Sequence, residues 1–158
     1  MTYLPPIKLP VRSVGGRVFD FAHEIVVMGI VNRTPDSFFD HGLTYALELA
    51  VEAGRRAAAE GAGWVDVGGV PFSPDVPKVP VDEELERVVP VVSGLAGSGV
   101  VVSVDTVRPA VARKAIAAGA GVINDTSGLY DPEIADVVAA SDATLVITHS
   151  EAPPGERL

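Results

Sequence analysis

Five short runs of aliphatic and β-branched residues place the main constraint on this chain: IVVMGIV (25–31), WVDVGG (64–69), VVVSVD (100–105), GVIND (121–125) and TLVITH (144–149). Most are apolar almost throughout rather than alternating with polar residues. A strand with one wet face alternates, whereas a strand covered on both faces does not. The runs therefore predict parallel strands buried on both sides. Helical patterns lie between them. Tyr45 to Glu60 is Ala-rich, sets Glu52 near Arg55 and Arg56, and is followed by Gly61 at a helix C-terminus. DEELERVVPVV, opened by Asp82, spaces Leu85, Val88, Val89 and Val92 as on one helix face, with Pro90 predicting a kink or an early end. Thr106 or Arg108 caps a helix begun by Pro109 and ended by Gly119. Asp131 and Pro132 read as N-cap and first-turn proline before EIADVVAA. The order β-α-β-α-β-α-β-α-β predicts an α/β fold with a parallel sheet.

Ahead of the first strand, Gly15-Gly16 separates two apolar segments and predicts a short hairpin. VPFSPDVPKVP (70–80) holds four prolines and predicts a long loop. At 158 residues, 47% of them hydrophobic, the chain suits one domain with a sizeable core. A net charge of −9 argues against a sequence-blind nucleic-acid surface. There is no cysteine, hence no disulfide, thiolate metal site or thiol nucleophile. Prolines interrupt the N-terminus where a signal peptide needs an apolar run, and no run approaches the ~18 apolar residues of a membrane span. A cytoplasmic protein without membrane partners is the expectation.

The strand ends are polar in a consistent way: Asn32, Asp66 with Gly68-Gly69, Asp105-Thr106, Asn124-Asp125 and His149. Such residues also cap helices and make turns. Their recurrence at all five strand ends points instead to a polar ligand site, because ligands of α/β folds bind outside the carboxyl ends of the strands.

MGIVNRTPDSFFDHG, DVGG, SVDT and GAGVINDTSG, in that order, resemble the hallmarks of dihydropteroate synthase, and EELERVVPV fits as well. The resemblance runs from about Val18 onward. It implies a transferase that condenses a 6-hydroxymethyl-dihydropterin pyrophosphate with p-aminobenzoate in folate synthesis, on a (β/α)8 TIM barrel. Such a barrel needs about 250 residues. Residues 1–158 are therefore expected to form about five parallel βα units with an N-terminal hairpin, a partial barrel equivalent to the family's N-terminal five-eighths. Alone, that portion is not expected to catalyse; a homodimer or pairing with a C-terminal half is the implied assembly.

By resemblance, Asn32 ligates Mg²⁺ beside the pyrophosphate, as suits an amide oxygen and a hard cation. Asp40 is a loop carboxylate that stabilises the cationic pterin methylene formed as pyrophosphate leaves. Phe38 shapes the p-aminobenzoate pocket or anchors its loop. Asp105 and Asn124 read the pterin edge, whose donors and acceptors match a carboxylate and an amide; helix capping is the alternative for Asp105.

Two departures matter. The family's second loop reads G-G-E-S-T-R-P-G; here Phe72 and Ser73 replace its threonine and arginine, and a serine cannot supply the arginine's charge. Arg33 stands where the family has valine, either supplying a substrate-binding cation from another direction or facing solvent. N-R-T-P-D-S-F resembles a paralogous branch found in actinobacteria. Two further readings follow: a catalytically inactive pterin- or phospholigand-binding paralogue, and a fragment acting as a partner subunit.

Overall fold

The computed structural model describes residues 8–33, 47–71 and 78–150. In chain order the elements are β1 (Val11–Val14), β2 (Arg17–Asp20), β3 (Met28–Asn32), α1 (Leu47–Ala59), β4 (Trp64–Gly68), α2 (Val81–Leu95), β5 (Val101–Asp105), α3 (Pro109–Ala117), β6 (Val122–Asp125), α4 (Glu133–Ala139) and β7 (Thr144–Ile147). All five expected strands are present, with ends displaced by at most three residues.

β3 to β7 form one parallel sheet in strictly sequential order. Every crossover thus steps one strand in the same direction. Because such crossovers are right-handed, all the helices fall on one face. Val65, Val67, Val102, Val104 and Ile123 point there and make the main core with α1 to α4, including Ala50, Val88, Leu95, Ala112 and Ile134. A doubly wound sheet would carry helices on both faces. Here the second face, with Val101 and Val122, is covered by the β1–β2 hairpin, through Val14 and Phe19. That arrangement is the wall of a partial (β/α)8 barrel with its inner face turned away from the helices.

The central strands are buried on both faces as expected. β3 and β7 are not: Ile30 is 66% and Ile147 50% exposed. Among the described residues these two strands are the sheet edges, each paired on one side alone.

The hairpin turns at Gly15 and Gly16, both at positive φ (56° and 77°), as a two-residue turn between twisted strands requires. A Cβ on Gly121 would lie 2.5 Å from the Gly15 Cα, so the hairpin sits directly on the start of β6. Arg17 Nη1 donates to the carbonyls of Gly99 (2.9 Å) and Gly63 (3.3 Å), just before β5 and β4. Phe19 meets Trp64 edge-on at 6.0 Å. The hairpin therefore closes the end where the strands begin and leaves their carboxyl ends open.

Pro90 does not end α2, which continues to Leu95. Having no N–H, Pro90 leaves the Glu86 carbonyl without its helical partner. Arg33 Nη1 donates to that carbonyl at 2.8 Å, and to the Arg87 carbonyl at 3.0 Å. Arg108 is the N-cap of α3, with the Thr106 hydroxyl accepting from its N–H at 3.2 Å. α4 begins one residue later than expected, with Pro132 in the cap position. Asp131 still serves it, accepting from the Glu133 N–H at 3.0 Å.

Candidate functional site

Rows of side chains cross the inner face from strand to strand. Parallel register places Asp66 beside Ser103, and Asp105 beside Asn124. The same alternation that sends Val65, Val67, Val102 and Val104 to the helices sends Asp66, Ser103 and Asp105 to the inner face. Ser103 is fully buried and its Oγ donates to Asp66 Oδ1 at 2.5 Å. Asn124 Nδ2 donates to Asp66 Oδ2 at 3.2 Å. The Thr126 hydroxyl, just past β6, donates to Asp105 Oδ1 at 3.2 Å. A recess of about 230 Å³ opens on this face, with Met28, Trp64, Ser103, Asn124 and Val146 among its walls.

The two inner carboxylates hold their protons unusually well. Burial pushes Asp105 up to about 7, helped by the Asp66 carboxylate and more weakly by Glu84 and Asp125; the Thr126 hydroxyl opposes this. Burial also raises Asp66, against the bonds from Ser103 and Asn124. Asp105 can thus change charge near neutrality, beside Asn124, which lines the recess.

A second network holds the loop beyond β5. Glu84 of α2, 2% exposed, accepts from the Thr106 hydroxyl at 2.7 Å and from Arg108 Nη1 at 2.6 Å. Arg108 Nη2 donates to the Val79 carbonyl at 2.6 Å. One buried carboxylate therefore ties the segment after Asp105 to the end of the second loop. Arg87 fastens the start of that loop, donating to the Gly69 carbonyl at 2.8 Å.

The structure brings Asp105 and Asn124 together. Asp105 bonds to Thr126 on the next loop, so the helix-capping alternative is not what its side chain does. Asp125 takes the turn role instead: its Oδ1 accepts from the Ser127 N–H and hydroxyl and from the Leu129 N–H. Asn32 ends β3 beside Gly68, and a Cβ on Gly68 would lie 2.7 Å from Asn32 Oδ1. The first glycine of DVGG thus leaves room for the Asn32 amide. The second leaves room for α2, since a Cβ on Gly69 would lie 2.8 Å from Val88 Cγ2. Arg33 does not simply face solvent: its Nη1 is engaged with the α2 backbone. Phe38 and Asp40 lie outside the described residues, as do Phe72 and Ser73.

Among the described residues no three His, Asp or Glu side chains group to hold a metal. Among the described residues, Asn32 offers an amide oxygen at the end of β3. That is compatible with a Mg²⁺ ion whose other ligands are water and substrate phosphate oxygens, its usual preference.

Ser103, Thr126 and Glu84 were not singled out from sequence, and Arg108 only as a helix cap. Ser103 left a trace, as the lone polar residue inside VVVSV. Glu84 left none, because an acidic residue in a first helical turn ordinarily faces water.

Residues 28–157 match the model of the pterin binding enzyme family. The chain belongs to that family. Among its similar pterin binding enzymes is the inactive dihydropteroate synthase 2 of Mycobacterium tuberculosis, 47% identical over 79% of this chain and 40% of the relative. The dihydropteroate synthase of Burkholderia cenocepacia, solved with 7,8-dihydropteroate, superposes with a TM-score of 0.79 at 38% identity, covering 97% of this chain and 49% of that one. The Xanthomonas albilineans dihydropteroate synthase, solved with 4-aminobenzoic acid, gives 0.79 at 44% identity, over 90% and 52%. The chain thus spans about half the length of these solved synthases. No helix among the described residues is long and apolar enough to cross a membrane.

Proposed function

We propose that this chain supplies the pterin side of a dihydropteroate synthase-type active site in the complete protein. The observation that carries this reading is the adjacent pair Asp105 and Asn124 on the inner barrel face, at the open carboxyl ends of β5 and β6. A carboxylate accepts from the amine and ring N–H groups of a pterin edge, and an amide donates and accepts. The neighbouring synthases solved with 7,8-dihydropteroate and 4-aminobenzoic acid support this pair of substrates.

In the reaction, the bond between the pterin methylene carbon and the pyrophosphate oxygen breaks, and pyrophosphate leaves with the electron pair. The amine nitrogen of p-aminobenzoate then bonds to the cationic methylene and loses a proton. Asp105 and Asn124 hold the ring so that its methylene faces the leaving group. The family resemblance gives Asp40 the role of a carboxylate near the developing cation. The same resemblance gives Phe38 the role of shaping the aminobenzoate site. Bound Mg²⁺ would neutralise pyrophosphate charge, with Asn32 holding it. Arg33 fixes the chain just after β3 to α2 through Nη1, and the substrate-binding cation it would supply remains part of this proposal. The cytoplasm is the proposed compartment, and a homodimer or association with a C-terminal half the proposed assembly.

A second reading has its own support. Phe72 and Ser73 replace the threonine and arginine of the family's second loop, and a relative 47% identical is an inactive dihydropteroate synthase. On that reading the site keeps a pterin-like ligand without transfer chemistry. Assay of the full-length protein for pteroate separates the two. Product that depends on both substrates supports the transferase; tight pterin binding with no product supports the inactive paralogue.

A further inference from the structure

Asp66 is buried at 6% exposure, yet neither of its oxygens is without a partner: Ser103 Oγ holds Oδ1 at 2.5 Å and Asn124 Nδ2 holds Oδ2 at 3.2 Å. We propose that Asp66 is a positioning residue that fixes the Asn124 side chain with its NH₂ group toward β4 and its carbonyl oxygen toward the ligand recess. The inference deepens the pterin-site reading and rests on it.

The geometry follows from what each group can do. An ionised carboxylate only accepts, so with Asp66 ionised the end of the Asn124 amide facing it is the donor end, as the Nδ2–Oδ2 contact has it. Ser103, itself fully buried, has its hydroxyl committed to the other carboxylate oxygen, which holds Asp66 in place. Asn124 forms part of the wall of the recess beside Ser103, Trp64 and Val146. With Nδ2 turned to Asp66, Oδ1 is the end left for a ligand. Asp105, next to Asn124 in register, is an acceptor when ionised. The wall then presents two neighbouring acceptors. It selects a heterocycle whose edge carries N–H donors at both places and disfavours one that sets a carbonyl against Asn124. Without Asp66 the amide is free to turn over, and this discrimination is lost.

Two measurements on the full-length protein test the proposal. The first is a neutron structure of the wild type, which requires neither variant nor ligand. It should show both Asn124 amide deuteriums on the Asp66 side; the reversed amide would overturn the proposal. The second is a double-mutant cycle in affinity for 6-hydroxymethylpterin. Asp66→Ala and Asn124→Ala should each weaken binding about tenfold, and the double variant should bind no more weakly than Asn124→Ala alone. Asp66→Asn can still accept from Asn124 through its own carbonyl oxygen while its amide donates to Ser103, so it should recover most of the affinity. Additive losses, in folded variants with wild-type binding intact, would overturn the positioning role and leave the pterin reading standing. A folded wild type with no affinity for the pterin would overturn both.

Discussion

Asp105 and Asn124 face each other across β5 and β6 as register partners, and each is held by a different neighbour: Asp105 by the Thr126 hydroxyl, Asn124 by the Asp66 carboxylate. The two residues read as a pterin pair are thus already oriented before any ligand arrives. Preorganisation of this kind lowers the cost of binding.

The charge on Asp105 makes ligand binding sensitive to pH. Below about pH 7 the carboxyl is largely protonated, and above it largely ionised. A ligand that donates to the carboxylate favours the ionised form. Affinity for a dihydropterin should therefore rise as pH increases from 6 toward 8 and then level. Calorimetry in two buffers of different ionisation enthalpy should register proton release at pH 6 that is nearly absent at pH 8.

Stability should move the other way. The folded chain keeps on Asp105 a proton that the unfolded chain, near the usual value of 3.8, has lost. Stability contributed by this group is full below about pH 4, falls through the window from 4 to 7, and is level above it. Asp105→Asn removes the ionised carboxylate and should be more stable than wild type at pH 8, by something on the order of 2–4 kcal/mol. At pH 4 the two should unfold at similar denaturant concentration. Equal stability at pH 8 would contradict the buried-carboxylate account.

Glu84 anchors Thr106 and Arg108 from within the core. Glu84→Ala leaves Arg108 without its charged partner and should cost about 3–5 kcal/mol in urea unfolding. Glu84→Gln keeps an acceptor for Thr106 and should cost less. It should also lower the midpoint of the Asp105 titration, because Glu84 is one of the charges that raise it.

Arg33 and Pro90 should be coupled. Arg33→Ala leaves the Glu86 carbonyl without the donor that Pro90 cannot supply, at a cost of about 1–2 kcal/mol. In a Pro90→Ala background the restored N–H takes that place, and the same substitution should cost clearly less. Identical costs in both backgrounds would show that Arg33 does not act through this carbonyl.

The parallel α/β order was legible because the five runs are nearly continuous in apolar residues and sit between helical patterns. Its barrel character was not legible from periodicity: it depends on the sequential strand order, and the family resemblance carried it. Double-sided burial failed at β3 and β7 because an edge strand of this sheet leaves residues such as Ile30 and Ile147 open. Asp105 and Asn124 stood out at strand ends within recognisable motifs. Their supports did not, since Ser103, Thr126 and Glu84 gain their meaning from strands and a helix distant in sequence. The early end that Pro90 suggested failed for a similar reason: the donor that satisfies its turn of helix is Arg33, 57 positions earlier.

The most direct test of the central claim is calorimetric titration of the full-length protein with a dihydropterin pyrophosphate, with and without Mg²⁺, beside its Asp105→Ala variant. The account predicts binding that strengthens with Mg²⁺ and is lost in the variant. Unchanged affinity in a folded Asp105→Ala protein, or no binding by folded wild type, would contradict it.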